Sequence, residues 1–410
     1  MKLVLAATKG PHKGETFDLR GHDTFVVGRS DGAGVRLPLK DGALSRVHFL
    51  IEVNPPACRL IDMASTNGTF VNGRRVSTTD LRHGDLIRCG KTVLKVGFQP
   101  DDPVPDTREV PIQSGPISPE MLSTISYEGP VPDTLPALPG LTLEGELGRG
   151  GMGVVYRART ASGEAVAVKT ISPNAIGSES VVPRFLREAS ILRRLAHPGI
   201  VKFREIGHRK GLLYFLMDLI PGRDADRLVK EEGPLAIPRA VEIASQVLDA
   251  LAFAHDLGFV HRDVKPKNVL ITTESGRDVV HLADFGLARL YHDSPMSGLS
   301  FVGEIAGTLG YMPPEQITHF RDSRPLSDQY AAGATLYFLL TGTTNFDLPK
   351  SVQKQLAMIL RDEDPIPINI RRPEIPAPLA AAIHRSLSPD PADRFPDVRA
   401  MLTALAPFRG

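Results

Sequence analysis

Residues 99–139 constrain this chain more than any other stretch. Pro100, Pro103, Pro105, Pro111, Pro116, Pro119, Pro130, Pro132, Pro136 and Pro139 recur through mostly polar sequence. Proline brings no backbone donor to a helix or a sheet, and such a composition cannot bury enough apolar surface to fold alone. The stretch is therefore expected to be a semi-extended linker. With 410 residues the chain is also too long for one core. Two folded parts follow, over residues 1–98 and 140–408.

The bulk composition narrows what those parts can do. Apolar residues make up 42% and charged residues 23%, as in ordinary soluble globular protein. A net charge of +1 supplies no field to gather nucleic acid or an acidic membrane. Cys58 and Cys89 are too few for a disulfide framework or a zinc site and read as small buried side chains in a reducing cytoplasm. The opening apolar run is too short for a signal peptide. No stretch reaches the ~18–20 apolar residues of a spanning helix, and the run from Ala331 to Leu340 reads as a buried core helix.

Residues 1–98 read as all β. Short runs of strand formers, such as Thr24-Phe25-Val26-Val27, Phe49-Leu50-Ile51 and Val93-Leu94-Lys95-Val96, alternate with the turn dipeptides Asp31-Gly32, Asp41-Gly42, Asn67-Gly68 and Asn72-Gly73. Many short strands with such turns predict a sandwich. From Leu141 strands resume, up to Leu212-Leu213-Tyr214-Phe215-Leu216-Met217, with a helix opened by Pro183 between them. Pro221-Gly222 reads as a hinge. Beyond it Pro238 opens a helical stripe that ends near Gly258, and further helices are expected near 326–341, 349–361, 378–388 and 396–406.

The chemistry sits in the second part. Gly148-Arg149-Gly150-Gly151-Met152-Gly153 fits G-x-G-x-x-G, which alone reads equally well as a plain glycine turn. A dinucleotide site needs a helix after the glycines. Here a strand follows, with Val155 two residues on, as in a β-turn-β loop that lets backbone approach phosphate. Lys169 closes a strand and is a candidate for the α- and β-phosphates, with Glu188 on the next helix as its counter-charge, or Glu179 less readily. His261-Arg262-Asp263-Val264-Lys265-Pro266-Lys267-Asn268 places an acid, a lysine and an amide on one loop, and Asp284-Phe285-Gly286 follows. Asp263 can take or orient a hydroxyl proton, and Lys265 can neutralise charge on a transferring phosphoryl group. Asn268 and Asp284 offer oxygen to a hard cation. These parts in this order read as a phosphoryl-transfer site.

On these residues, 141–408 resembles the eukaryotic-like (Hanks-type) serine/threonine protein kinases of bacteria. The resemblance implies a two-lobed α+β fold, with residues 140–220 as the β-rich lobe and 221–408 as the helical one. It implies ATP with Mg2+, or Mn2+ in its place, and transfer of the γ-phosphoryl group to serine or threonine hydroxyls of proteins. Gly148, Gly150, Gly153, Val155, Ala167, Lys169, Glu188 and Met217 would bind the nucleotide, Ala167 at the adenine and Met217 as gatekeeper. Asn268 and Asp284 would hold the metal, with Asp263 and Lys265 catalytic. Met312-Pro313-Pro314-Glu315 stands where the family has an A-P-E-like motif, with proline in place of its alanine. Glu315 would pair with Arg394, Asp328 would anchor the catalytic-loop backbone, and Thr308 would lie on the substrate side. The stretch 287–307 holds Tyr291, Ser294, Ser297 and Ser300 but no threonine, so a phosphate sensed by Arg262 would sit on serine, or the loop would act unmodified.

In the first part, Gly28-Arg29, Ser45-Arg46-Val47-His48 and Ser65-Thr66-Asn67-Gly68 lie on or beside turns. Their guanidinium, hydroxyl and amide groups suit a phosphate, although arginines and Asn-Gly turns are more often structural. Residues 1–98 resemble a forkhead-associated (FHA) domain, a phosphothreonine-binding sandwich. By that resemblance Arg29, Ser45, Arg46, Thr66 and Asn67 contact a phosphopeptide, with Gly28 and His48 in support. Phosphothreonine proteins would then be partners, and the linker threonines Thr107, Thr124 and Thr134 make self-association an expectation. Two other readings stand beside this one: a catalytically silent phosphoprotein-binding scaffold, and a small-molecule phosphotransferase on the same fold.

Overall fold

A computed structural model describes residues 2–19, 23–29, 37–54, 57–99, 138–150, 153–171, 192–209, 212–285, 309–318, 324–361 and 363–409. Eleven strands build the first part: β1 (Lys2–Lys9), β2 (Thr16–Leu19), β3 (Asp23–Gly28), β4 (Leu37–Pro38), β5 (Phe49–Asn54), β6 (Ala57–Asp62), β7 (Thr69–Val71), β8 (Arg74–Val76), β9 (Thr78–Asp80), β10 (Leu86–Cys89) and β11 (Thr92–Gln99). They form two sheets, ordered β2-β1-β11-β10-β7-β8 and β4-β3-β5-β6-β9. The sandwich that the alternating pattern predicted is present. Its core lies between the sheets, with Leu3, Leu5, Phe25, Val27, Phe49, Ile51, Leu60, Ile87 and Leu94 buried together. The first and last strands pair antiparallel, Lys2 opposite Gln99, so the sandwich closes on its own ends. Cys58 and Cys89 are free and buried, and burial pushes both thiols up to about 12.

The second part begins with a five-stranded sheet ordered β12-β13-β14-β16-β15, made of β12 (Leu141–Gly150), β13 (Gly153–Thr160), β14 (Ala165–Ile171), β15 (Phe203–Arg209) and β16 (Leu212–Asp218). Alternation sorts β14 by face. Val166 and Val168 pack outward with Leu138, Ala158 and Tyr214, which leaves Ala167 and Lys169 on the opposite side. The helix expected after Pro183, and Glu188 on it, lie outside the described residues.

Beyond Gly222 comes β17 (Arg223–Asp224), then α1 (Ala225–Glu232) and α2 (Ile237–Asp256). β18 (Val269–Glu274) and β19 (Arg277–Leu282) form a hairpin. Among the described residues six α-helices follow: α3 (Pro314–Thr318), α4 (Pro325–Thr341), α5 (Val352–Ile359), α6 (Ile368–Arg371), α7 (Ala377–Ser386) and α8 (Val398–Leu405). α2 carries the expected Pro238 in its first turn and stops at Asp256, two residues before Gly258, whose φ of +79° favours glycine. α4 is the core helix that its apolar sequence predicted. Everything from Ser327 to Leu340 is buried, and a Cβ at Gly333 would sit 2.0 Å from Ser386 Oγ of α7. Among the described residues, no helix is long and apolar enough to cross a membrane.

The two parts share a core. Val26, Val47, Leu50, Ile61 and Met63 of the sandwich pack with Leu309, Met312, Ile317, Leu356, Ala357, Ile359 and Leu360 of the helical lobe. A buried side chain of these types contributes about 1.5–3 kcal/mol, so the contact has the character of a core.

One ion pair locks the helical lobe. The Arg394 guanidinium is fully buried and donates to both Glu315 oxygens, at 2.7 and 2.9 Å. It also donates to the carbonyls of Ser388, Leu326 and Pro389. Ser327 Oγ adds a bond to Glu315 at 3.0 Å. Because the arginine is fully satisfied, removing one partner strands the other. Arg394→Ala is expected to lower stability by about 3–5 kcal/mol, read as a shift of the urea midpoint, with Glu315→Gln shifted less because an amide still accepts one bond.

Candidate functional site

The catalytic-loop candidate hangs from one carboxylate. Asp328, fully buried at the start of α4, accepts the backbone N–H groups of His261 at 2.8 Å and Arg262 at 2.7 Å. His255, at the end of α2, donates to it at 2.8 Å. Arg262 takes a φ of +70°, an uncommon conformation for a side-chain-bearing residue. Such geometry persists only where the surroundings enforce it, and here Asp328 does so.

His261 ties this loop to the next motif. Its Nε2 donates to Ala283 O at 2.8 Å while its Nδ1 accepts from Asp263 N at 3.2 Å, and its ring packs against Phe285, 4.4 Å between centroids and tilted by 60°. Ala283 N in turn donates to Asn268 O at 2.8 Å. Asp263 and Asp284 are thereby held on two strapped segments. Asp284 also has a left-handed backbone, φ +64°. Around Asp263 the expected neighbours converge. Lys265 Nζ lies 2.8 Å from its carboxylate, and Asn268 Nδ2 donates both to its carbonyl, at 2.8 Å, and to its carboxylate, at 3.0 Å.

Across the cleft, Lys169 Nζ donates to Asp284 at 2.7 Å, and the lysine is 6% exposed. The sequence assigned Glu188 to that lysine. Glu188 lies outside the described residues, and among those described Lys169 meets Asp284, the carboxylate expected to bind metal. Burial pushes the Asp284 carboxyl up, but the Lys169 ammonium, by charge and hydrogen bond, with Lys265 and His261 behind it, outweighs that and holds it below the usual carboxylate range.

The remaining nucleotide-binding candidates fall on the same sheet. Gly150 pairs with Gly153 across the β12–β13 turn, so a strand does follow the glycines. Val155 pairs with Lys169, and Ala167 with Met217. Gly153 has a reason of its own to be glycine. Its φ is +140°, and a Cβ would sit 1.8 Å from Thr170 O. Gly148 has open space above it, as an approaching phosphate requires. Met217 and Asp284 line a small apolar pocket with Leu192, Ile200, Phe215 and Phe285.

Whether a divalent cation fits is decided by the donors. No group of three or more His, Cys, Asp or Glu side chains forms a metal cage among the described residues. Asp284 and Asn268, on segments joined by the Ala283–Asn268 bond, are oxygen donors of the kind that hold Mg2+ jointly with substrate phosphates.

In the sandwich, the candidate phosphate-binding groups come from two loops at one edge. Thr66 N donates to Ser45 Oγ at 3.0 Å, and the two hydroxyls lie 3.3 Å apart. Asn67 Nδ2 donates to Ala43 O at 2.6 Å. Arg29 N donates to Ser45 O, while the Arg29 and Arg46 side chains are exposed. Gly28 lets the backbone of Arg46 pass, since a Cβ there would sit 1.9 Å from Arg46 O. His48 staples both loops. Its Nδ1 accepts from Ser45 N at 3.0 Å and its Nε2 reaches Gly68 O at 3.4 Å. Burial, opposed only in part by the Gly68 carbonyl, holds its pKa below the ordinary value, so the ring stays neutral. A residue that sequence reasoning missed is Asp62. Its carboxylate accepts from Ser65 N at 3.1 Å, Ser65 Oγ and Thr69 Oγ1 at 2.6 Å, and so shapes the second loop. Arg75 is another: its guanidinium lies over Gly68, where a Cβ would meet its Nε at 2.6 Å.

Comparison with known proteins bears on both parts. The protein kinase domain family matches residues 141–403, and the FHA domain family matches residues 25–90. The serine/threonine-protein kinase PkaA of Streptomyces coelicolor is 41% identical over 265 residues, which cover 62% of this chain and 47% of the relative. Pkn3 of Myxococcus xanthus is 38% identical over 260 residues, with the same coverages. The chain thus spans about half the length of these relatives. Among solved structures, the PknI kinase domain of Mycobacterium tuberculosis shares 29% identity at a TM-score of 0.51, covering 66% of this chain and 97% of that one. Rad53 1-466 in complex with AMP-PNP shares only 23% identity but covers 98% of both chains at a TM-score of 0.54, a likeness of fold that spans both parts. Matched over most of its length, this chain belongs to the protein kinase domain family, within which it resembles the bacterial serine/threonine kinases, and it carries an amino-terminal FHA domain.

Proposed function

We propose that the chain is an ATP-dependent protein serine/threonine kinase whose FHA domain binds phosphothreonine proteins. The observation that carries the first half is the Asp263 carboxylate bracketed by Lys265 and Asn268, on a loop strapped through His261 to Asp284, with Lys169 reaching Asp284 from under the glycine hairpin. In this reading a serine or threonine hydroxyl of the substrate attacks the γ-phosphorus of ATP. The new oxygen–phosphorus bond forms as the bond to the β,γ-bridging oxygen breaks, ADP leaves, and the hydroxyl proton passes to Asp263. Lys265 offsets charge on the phosphoryl oxygens in flight. Lys169 binds the α- and β-phosphates, Ala167 and Met217 flank the adenine, and Gly148, Gly150, Gly153 and Val155 cover the phosphates. Mg2+, bound at Asn268 and Asp284, would supply charge neutralisation across the phosphates.

The second half rests on the Ser45–Thr66 hydroxyl pair, fixed by His48 and flanked by exposed Arg29 and Arg46. Charge-assisted bonds from such groups suit a phosphate dianion, and Asn67 fixes the loop that presents Thr66. Substrate recruitment and capture of phosphorylated Thr107, Thr124 or Thr134 in the linker are the uses this site would have.

The deciding experiment is transfer of label from γ-labelled ATP to a generic protein substrate. Asp284→Ala and Asp263→Asn are each expected to lose about 100-fold or more, the scale of removing a general base or a preorganised charge; wild-type transfer no greater than that of Asp284→Ala counts against a kinase. For the FHA loops, titration calorimetry with a phosphothreonine peptide and its unphosphorylated form reads the site. Arg46→Ala is expected to weaken the phosphorylated peptide by roughly ten- to a hundredfold, since a charge-assisted hydrogen bond is worth about 1.5–3 kcal/mol, and to leave the control peptide unbound. Acid also tests the bridge. The Asp284 carboxyl sits below its unfolded value, so the stability it contributes is present above about pH 3.9 and is lost as pH falls through the folded value. Asp284→Asn, compared with wild type by thermal melts, is expected to remove that part of the acid-side decline.

A further inference from the structure

The sandwich has one sheet face that its own core does not use. In a sheet with one face in water, inward apolar residues alternate with polar ones. β3 and β5 break that rule: Phe25-Val26-Val27 and Phe49-Leu50-Ile51 are apolar without interruption. Phe25, Val27, Phe49 and Ile51 point into the sandwich. Val26, Leu50 and Ile61 point the other way. The strand register puts Val26 opposite Leu50 and Leu50 opposite Ile61, so they form one row across three strands. Val26 and Leu50 have no exposure and Ile61 has 4%. A row of this kind needs a partner, and the partner present is the surface formed by Leu309, Met312 and Ile317 with Leu356 and Ile359 of α5 and Leu360 just after it.

That surface adjoins the reacting centre. Gln316, one residue before Ile317, donates to the carbonyl of Arg262 at 2.6 Å, and Arg262 immediately precedes Asp263. Glu315 is locked by Arg394. The segment 309–317 is thus a shelf tied to the loop that carries Asp263, and on the kinase reading it is the surface over which a polypeptide delivering a hydroxyl to Asp263 would lie. The nucleotide-binding candidates Ala167, Lys169 and Met217 are on the other side of the cleft, and none belongs to the shared cluster.

We propose that the outer face of the FHA sheet is an intramolecular interaction surface for the kinase domain's protein-docking shelf, and that this contact holds back phosphorylation of protein substrates while leaving ATP binding intact. The proposal rests on the kinase reading above. Tethering through residues 99–139 makes the contact intramolecular, so a protein substrate in solution competes against a partner at high effective concentration. Opening the contact exchanges one apolar partner for another, which makes a protein or peptide with an apolar docking segment the competitor the shelf accepts.

The test uses the full chain with Leu50→Asp and, separately, Ile61→Asp. Both residues lie outside the sandwich core and outside the phosphate-binding loops. Small-angle scattering is expected to show expansion. Casein phosphorylation is expected to rise roughly tenfold or more, the inverse of an open fraction below about 10%, with KM for ATP changed less than about twofold. Expanded, folded variants that phosphorylate casein no faster than wild type overturn the proposal. If the aspartate variants do not fold, Leu50→Ala and hydrogen exchange on the wild type decide instead. The amides of α5 are expected to be protected, and exchange at the rate of an exposed helix overturns the contact. Absence of transfer by every chain, wild type included, to casein or to itself sinks the kinase reading; transfer with unchanged rates sinks only this inference.

Discussion

The helical lobe is organised around the charge of Asp328. A carboxylate without solvent must be paired or saturated with donors, and this one collects two backbone N–H groups and an imidazole. In exchange it fixes the backbone of His261 and Arg262 in a conformation that the chain would not otherwise hold. Everything downstream inherits that geometry. His261 can reach Ala283 only because its own amide is pinned, and Asp263 meets Lys265 and Asn268 only because the turn before it is locked. The candidate reactive groups thus sit at the end of a chain of supports rooted in α4, the most buried helix described.

Much of this was legible in the sequence, and the reasons are local. The glycine run, Lys169, the Asp263 loop and Asp284 are short motifs whose spacing survives translation into space. The pairing of Glu315 with Arg394 and the anchoring by Asp328 also appear as the family resemblance implied. Helices α2 and α4 announced themselves by Pro238 and by a long, mostly apolar run. Helix α1, the edge strands β8 and β9, and β1 were not legible. α1 is short and rich in charge, and β1 opens the chain with no turn before it to mark a strand, although its Leu3 and Leu5 fill the sandwich core.

What the sequence could not give was any interaction between residues distant along the chain that belongs to no motif. Asp62, which shapes the Ser65–Gly68 turn, looks like any acidic strand-end residue until its three donors are seen. The continuous apolar runs of β3 and β5 did carry a signal of two-sided burial. In a sandwich reading they pass for ordinary strand formers, because nothing local says which body covers the second face.

The strap through His261 has a mechanical consequence. Asp263 and Asp284 are joined by the ring and by the Ala283–Asn268 bond, so they travel as one body with the helical lobe. Lys169 travels with the sheet above. A rotation of the sheet against the helical lobe would therefore leave the spacing of the two aspartates unchanged and register in the lysine–aspartate distance. For a rotation about the residues between β16 and β17, that single separation is the natural coordinate of the motion, and a chromophore or spin pair placed across it would report the state of the cleft directly.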